Sequence, residues 1–211
     1  MGAALRSLST LVFTALFLAI STTSAFAAAN WKLSADEQKR LDEGGVVVRT
    51  RDVAGSPMKK ATAFGVIDAT PERVLWVLSD FENWPKFMPR MKETKVRTRD
   101  ARSNQVWVYE KLSMPWPLDD IYFVVKIKTT KKGDMLSTRF SMVPGSGNMK
   151  YNNGGWDLIP YKGDPKRCLA RYTLHSEPNA HVPNFLINYG TKTTIPDVYV
   201  AMRKHATVIR P

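Results

Sequence analysis

The sequence is poor in the residues from which most enzyme sites are built. Its 211 residues include a single cysteine, Cys168, and three histidines, His175, His181 and His205. One thiol cannot close an internal disulfide, so stability has to come from packing. His175 and His181 flank Glu177 at a spacing that matches no zinc signature, and no metal is expected. There is no glycine-rich phosphate loop. Gly154-Gly155 reads instead as a bulge or a close approach inside a strand, and no cofactor is expected.

Long apolar runs are also missing. The longest, Leu8 to Ile20, falls short of the roughly 20 residues that span a bilayer. It follows a single base, Arg6, in a stretch of 29 residues without an acid, and precedes Ala25-Phe26-Ala27. That arrangement predicts a secretory signal peptide, 1–27, and a periplasmic or secreted protein after cleavage. No cysteine follows the cleavage region to carry a lipid. An N-terminal segment, 28–44, and one domain, 45–211, remain, a length that can bury a sizeable core.

Acids are scarce. With Arg6 removed, the 31 Lys and Arg against 19 Asp and Glu leave a net +11. Such an excess suits anionic partners, and export argues against nucleic acid and for acidic membrane surfaces or acidic proteins. A merely solvated surface accounts for most of the same charges.

Hydrophobic periodicity divides the domain in two. Gly45–Val53 and Lys59–Asp68 read as a strand pair around a Gly55-Ser56-Pro57 turn. Thr70-Pro71 supplies an N-cap and a first-turn proline for a helix to about Asp80, with Val74, Leu75, Val77 and Leu78 on its apolar face. A second short helix is expected over Asn83–Met88. Beyond Pro89 the period becomes 2, and strands are predicted near 92–99, 105–112, 121–130, 135–143, 151–159 and 167–176, with one wet face as in antiparallel sheets. Phe123, Val125, Phe140, Met142, Tyr172 and Leu174 should face inward and Lys126, Lys128, Arg139 and Arg171 outward. In the strand of Trp107 and Tyr109, Val106 and Val108 compete for the buried side, and the parity stays open. After Pro183 a helical pattern runs to about Val208. Pro196 within it either kinks one long helix or marks the junction of two.

Four segments, in order, carry a family resemblance. Thr70 to Pro89 (TPERVLWVLSDFENWPKFMP) resembles the entry segment of START-like and polyketide-cyclase-like domains, including coenzyme-Q-binding START-like proteins. Met114-Pro-Trp-Pro-Leu118 is similar to the turn before a long strand in START lipid-transfer domains. Gly154 to Pro160 and Val182 to Asn188 resemble that family's late strand and the start of its closing helix. One departure stands out: Asp119-Asp120 occupies the place where START domains commonly carry Arg-Asp.

The resemblance implies an α+β helix-grip (START-like, SRPBCC) fold, a curved antiparallel sheet around a long C-terminal helix with two short helices after the second strand. It further implies an internal tunnel, used for phospholipid, sterol, quinone or polyketide in different members. Because few titratable groups converge, the expectation for this chain is binding and transport of a lipid without catalysis, by a monomer in transient contact with acidic membrane. Expected cavity walls are Phe123, Val125, Phe140, Met142, Trp156, Leu158, Tyr172, Leu186, Tyr189 and Met202. Apolar walls bury hydrocarbon at about 0.8 kcal/mol per CH₂, and methionine adapts to varied shapes. Trp116 either dips into a membrane or folds back on the core, and Pro196 is a candidate hinge. The loop 144–148 is a lid or a plain hairpin turn. The six tryptophans are assigned mostly to the core. A cyclase or dehydratase using the same cavity remains the main alternative, to be marked by a buried carboxylate or histidine facing open volume. A basic adaptor for an acidic partner is the third.

Overall fold

The computed structural model describes residues 31–116, 118–179 and 193–208. The chain divides into Met1–Trp31 and Lys32–Pro211, and the second unit holds every element below. Residues 1–27, read above as a signal peptide, lie outside the described residues.

A helix absent from the sequence reading, α1 (Ala35–Asp42), opens this unit. Ser34 caps it: its hydroxyl accepts from the Glu37 amide, and the Glu37 carboxylate accepts from the Ser34 amide at 2.8 Å. The Ser-x-x-Glu pattern of this capping box was readable in the sequence. Leu41 is fully buried, and Glu37 pairs with Arg49 of the first strand, which holds the carboxyl down at about 2. Helix α1 thus packs onto the first two strands.

Eight strands follow: β1 (Val46–Val53), β2 (Ser56–Ile67), β3 (Met91–Asp100), β4 (Gln105–Leu112), β5 (Ile121–Lys132), β6 (Met135–Met142), β7 (Met149–Tyr161) and β8 (Asp164–Pro178). They form one antiparallel sheet in the order β1-β2-β8-β7-β6-β5-β4-β3. The first hairpin turns at Ala54-Gly55, where Gly55 takes φ +76°, a region open to glycine. The turn therefore precedes the predicted one, and Ser56 and Pro57 already belong to β2. Between β2 and β3 come α2 (Pro71–Ser79), capped by the Thr70 hydroxyl on the Arg73 amide at 3.1 Å, and a 3₁₀ helix, Phe81–Lys86.

The C-terminal helix, α3 (Ile195–Val208), lies against the concave face of the sheet. Ile195, Tyr199, Met202 and Ala206 form its buried stripe at helical spacing. Tyr199 packs its ring against Gly65: a Cβ there would come within 2.4 Å of it. Its hydroxyl sits 3.0 Å from both the Ala63 and Ala170 carbonyls, joining β2 to β8. Arg203 donates to the carbonyls of Val66, Gly44 and Gly45, at 2.8, 2.7 and 3.2 Å. Pro196 occupies the first turn of the described helix, where its missing N–H removes no described hydrogen bond. The pattern predicted before Thr193 lies outside the described residues.

The core is in two parts. One cluster joins α2 and α3 to β2, β7 and β8 through Val74, Val77, Leu158, Cys168, Tyr199 and Met202. The other lies over β4 and β5 around Phe81, Val108, Phe123, Val125 and Ile127.

On the convex face Lys126 and Lys128 are exposed, as expected. Arg139 and Arg171 are not free bases. They clamp Asp157, which is 2% exposed, from both sides at 2.5 Å, and Ser137 adds a bond at 2.7 Å. Burial alone would raise the Asp157 carboxyl, but these donors outweigh it and hold the group below its ordinary value. The open parity of β4 resolves as well. Val108 is fully buried, while Trp107 and Tyr109 face outward under Lys126 and Arg97.

Candidate functional site

The two core clusters do not meet everywhere on the concave face. Between them lies a hollow of about 350 Å³, within the size range of small-molecule sites. Phe123 and Ile127 of β5, Phe140 of β6, Trp156 of β7 and Tyr172 of β8 form its floor. Ile195 and Val198 in the first turn of α3 and Leu78 at the end of α2 close it from the other side. Met114 and Pro115 stand at its rim beside Trp116, which is 92% exposed. Trp116 thus projects outward rather than folding back.

Strand alternation explains the floor. Phe140 lies over Gly154, where a Cβ would meet the ring at 2.6 Å and the Thr173 carbonyl at 2.1 Å. Pairing of Gly154 and Gly155 is regular, so the two glycines serve close packing and not a bulge. Trp156 stacks on Tyr172 with ring centroids 4.4 Å apart.

Of the ten residues expected to line a cavity, Phe123, Phe140, Trp156 and Tyr172 do. Val125 shares their face but is 1% exposed, closed into the β4–β5 cluster between longer neighbours. Met142, opposite Val125, packs half-buried against the same cluster. Leu158 and Met202 are fully buried where α2 and the later turns of α3 fill the concavity, so the hollow ends about one helical turn before them. Leu186 and Tyr189 lie outside the described residues, as does His181. Among the tryptophans Trp31 and Trp156 are buried. Trp84 packs half-buried against the smaller cluster, whereas Trp76 and Trp116 are exposed and Trp107 faces outward, so the assignment to the core holds for half of the six.

Other candidates turn away from the hollow. Asp120 pairs with Lys92 at 2.8 Å and Lys111 at 3.5 Å, which hold its carboxyl below the ordinary range, and Asp119 is exposed. Cys168 is fully buried in the larger cluster, and burial pushes its thiol up to about 12, far from a reactive thiolate. The loop 144–148 is a fastened hairpin: Ser146 accepts from the Val124 amide, and Asn148 accepts from the Tyr122 amide and donates to the Asp120 backbone carbonyl. His175 and Glu177 both contact the Ser56 hydroxyl, at 3.2 and 2.6 Å.

The residue that sequence reasoning missed is Glu110. Once Val106 and Val108 face inward, alternation sends Glu110 inward too. It lines the hollow, 9% exposed, opposite Thr94 and Phe123. The Thr94 hydroxyl donates elsewhere, to the Phe81 carbonyl. Burial, unopposed by any cation, raises the Glu110 carboxyl to about 8. Among the described lining residues it is the only carboxyl, and no histidine or cysteine accompanies it.

An eight-stranded curved antiparallel sheet holding a C-terminal helix above an apolar hollow defines the START-like, helix-grip class. Residues 58–193 match the family described as Polyketide cyclase / dehydrase and lipid transport, and the chain belongs to that family. A STAR-related lipid transfer protein from Xanthomonas axonopodis is similar at 25% identity and a TM-score of 0.68, over 77% of this chain and 93% of that one. Human STARD10 superposes with a TM-score of 0.66 at 21% identity, over 77% and 69% of the two chains. The Zhui aromatase/cyclase of a Streptomyces species does so at 0.56 and 10%, over 76% and 94%, a likeness of fold alone. An uncharacterised protein of Pseudomonas aeruginosa is 25% identical over 81% of this chain and 87% of its own.

Proposed function

We propose that the protein binds an apolar small molecule, a lipid or a molecule of similar character, in the hollow and does not transform it. The observation that carries this reading is the hollow itself, walled by aromatic and aliphatic side chains and about 350 Å³ in volume. Burial of hydrocarbon there is favourable at about 25 cal/mol per Å² removed from water. The STAR-related lipid transfer protein from Xanthomonas supports the same reading by its name and its 25% identity. The leader-like segment 1–27 and the basic composition support export and contact with acidic membrane, with the outward Trp116 as the group that enters the interface.

The test is native mass spectrometry, with organic extraction, of protein purified from its own envelope. An apolar molecule should leave with the wild-type protein and be retained poorly by Trp156→Ala, while circular dichroism shows both folded. Equal retention by the two would refute the reading.

One observation favours a second reading, a cyclase-type enzyme: Glu110 is a buried carboxyl facing open volume. Glu110 has no histidine or second carboxyl beside it on the described lining, and burial raises the Tyr172 phenol further from the range of a neutral-pH base, which favours binding.

A further inference from the structure

A carboxyl buried against apolar walls with no partner is expensive to keep. Glu110 has no hydrogen bond or ion pair among the described residues, and its neighbours leave it none. Thr94 is committed to the Phe81 carbonyl at 2.5 Å. Phe123, opposite on β5, is apolar. The charged and titratable groups on the walls are Lys59 of β2, Arg90 before β3 and Tyr172 of β8. Arg90 reaches the Ser113 carbonyl, and neither cation acts on the Glu110 carboxyl. Tyr172 does feel it: burial first, then the nearness of Glu110, raises the phenol. At neutral pH Glu110 therefore stands as an uncharged acid, an O–H donor aimed into an oily space.

Resting on the binding reading above, we infer that Glu110 is the polar contact of the cavity, donating a hydrogen bond to an uncharged carbonyl oxygen on an otherwise apolar ligand. The neutral acid fits a carbonyl because it can give a proton without bringing charge into the hollow. An ammonium group would have to displace that proton and bury an ion pair, whose desolvation offsets much of the attraction. A purely hydrocarbon ligand would leave the donor unmet.

The test compares 6-undecanone, undecane and undecylamine, delivered from cyclodextrin, against wild type, Glu110→Gln and Glu110→Leu. Binding is read from the fluorescence of Trp84 and Trp156, both on the walls. At pH 6.5 wild type should prefer the ketone over undecane about tenfold, the range of one well-placed hydrogen bond. Glu110→Gln keeps an N–H donor and should keep the preference, and Glu110→Leu should lose it. At pH 9.5 the wild-type carboxyl is ionised and repels the carbonyl, so its preference should vanish while that of Glu110→Gln persists. The pH comparison of wild type with Glu110→Gln holds the test even where the Leu variant does not fold. Undecane binding to all proteins with no gain for the ketone overturns the role of Glu110 and leaves the cavity reading standing. A preference for undecylamine that grows with pH overturns it in favour of a cationic ligand. Binding of none of the three overturns both.

Discussion

Glu110 gives the fold a pH dependence that one substitution should erase. In the unfolded chain the carboxyl titrates near 4.5, and in the folded protein burial holds the proton to about 8. Between those values the unfolded state has lost a proton that the folded state still binds, so stability falls as pH rises through the window. At about 1.4 kcal/mol per pH unit, the loss approaches about 5 kcal/mol at and above pH 8. Water drawn beside the ionised carboxylate reduces this figure, because the hollow has room for it. Other groups titrate in the same range, so the quantity to measure is a difference. Urea unfolding of wild type and Glu110→Gln, from pH 4.5 to pH 9 in steps, gives the gap between them at each pH. The gap should shift toward the Gln variant by at least about 2 kcal/mol, with nearly all the change between pH 5 and 8. A gap that stays within about 0.5 kcal/mol across the range, the size of ordinary surface effects, means that Glu110 is ionised or solvated in the fold, and the argument for a neutral donor fails with it.

Three further outcomes test the frame around the hollow. Asp157→Asn leaves Arg139 and Arg171 without their shared carboxylate and should destabilise by about 3 kcal/mol in urea unfolding, a loss that wild type approaches in acid as Asp157 protonates. Gly65→Ala drives a methyl into the Tyr199 ring and should cost about 1–3 kcal/mol, with much of it recovered in the double variant with Tyr199→Leu; additive losses would refute the contact. Trp116→Ala should weaken sedimentation with acidic phospholipid vesicles and leave the melting temperature unchanged, since the side chain is 92% exposed.

Strand alternation and helix caps made most of this fold readable. Ile121, Phe123, Val125 and Ile127 announce β5, and Thr70-Pro71 announces α2, because each signal is local and physical. What failed to be readable was depth. Phe123 and Val125 share a face, yet one lines the hollow and the other is sealed within a cluster, and that difference depends on which helix covers which stretch of sheet. Leu158 of β7 and Met202 of α3 were misplaced for the same reason, since α2 packs against both where the concavity is filled. Gly65 gave no hint of Tyr199, 134 residues away in the chain. Glu110, by contrast, was within reach. Its parity follows from Val108, and a choice between Val108 and Trp107 for the buried side would have exposed it.

A sheet built this way has a reason to hold a guest. Apolar cavities left by large-to-small substitutions cost about 24 cal/mol per Å³, and at that rate a dry hollow of about 350 Å³ would carry a penalty of up to about 8 kcal/mol. Collapse would relieve it, but the walls cannot approach one another. Tyr199 is wedged on Gly65 and bonded to β2 and β8, Arg203 ties α3 to Val66, Gly44 and Gly45, and the Asp157 clamp braces β6, β7 and β8 from behind. Water can enter through the open side but finds few partners on apolar walls, so a bound apolar molecule should act as part of the core. Protein stripped with organic solvent and refolded should melt several degrees below protein carrying its native cargo, and adding that cargo back should restore the difference in proportion to its concentration. Identical melting of stripped and loaded protein would mean that the walls close without a guest, and the argument from cavity cost would be wrong.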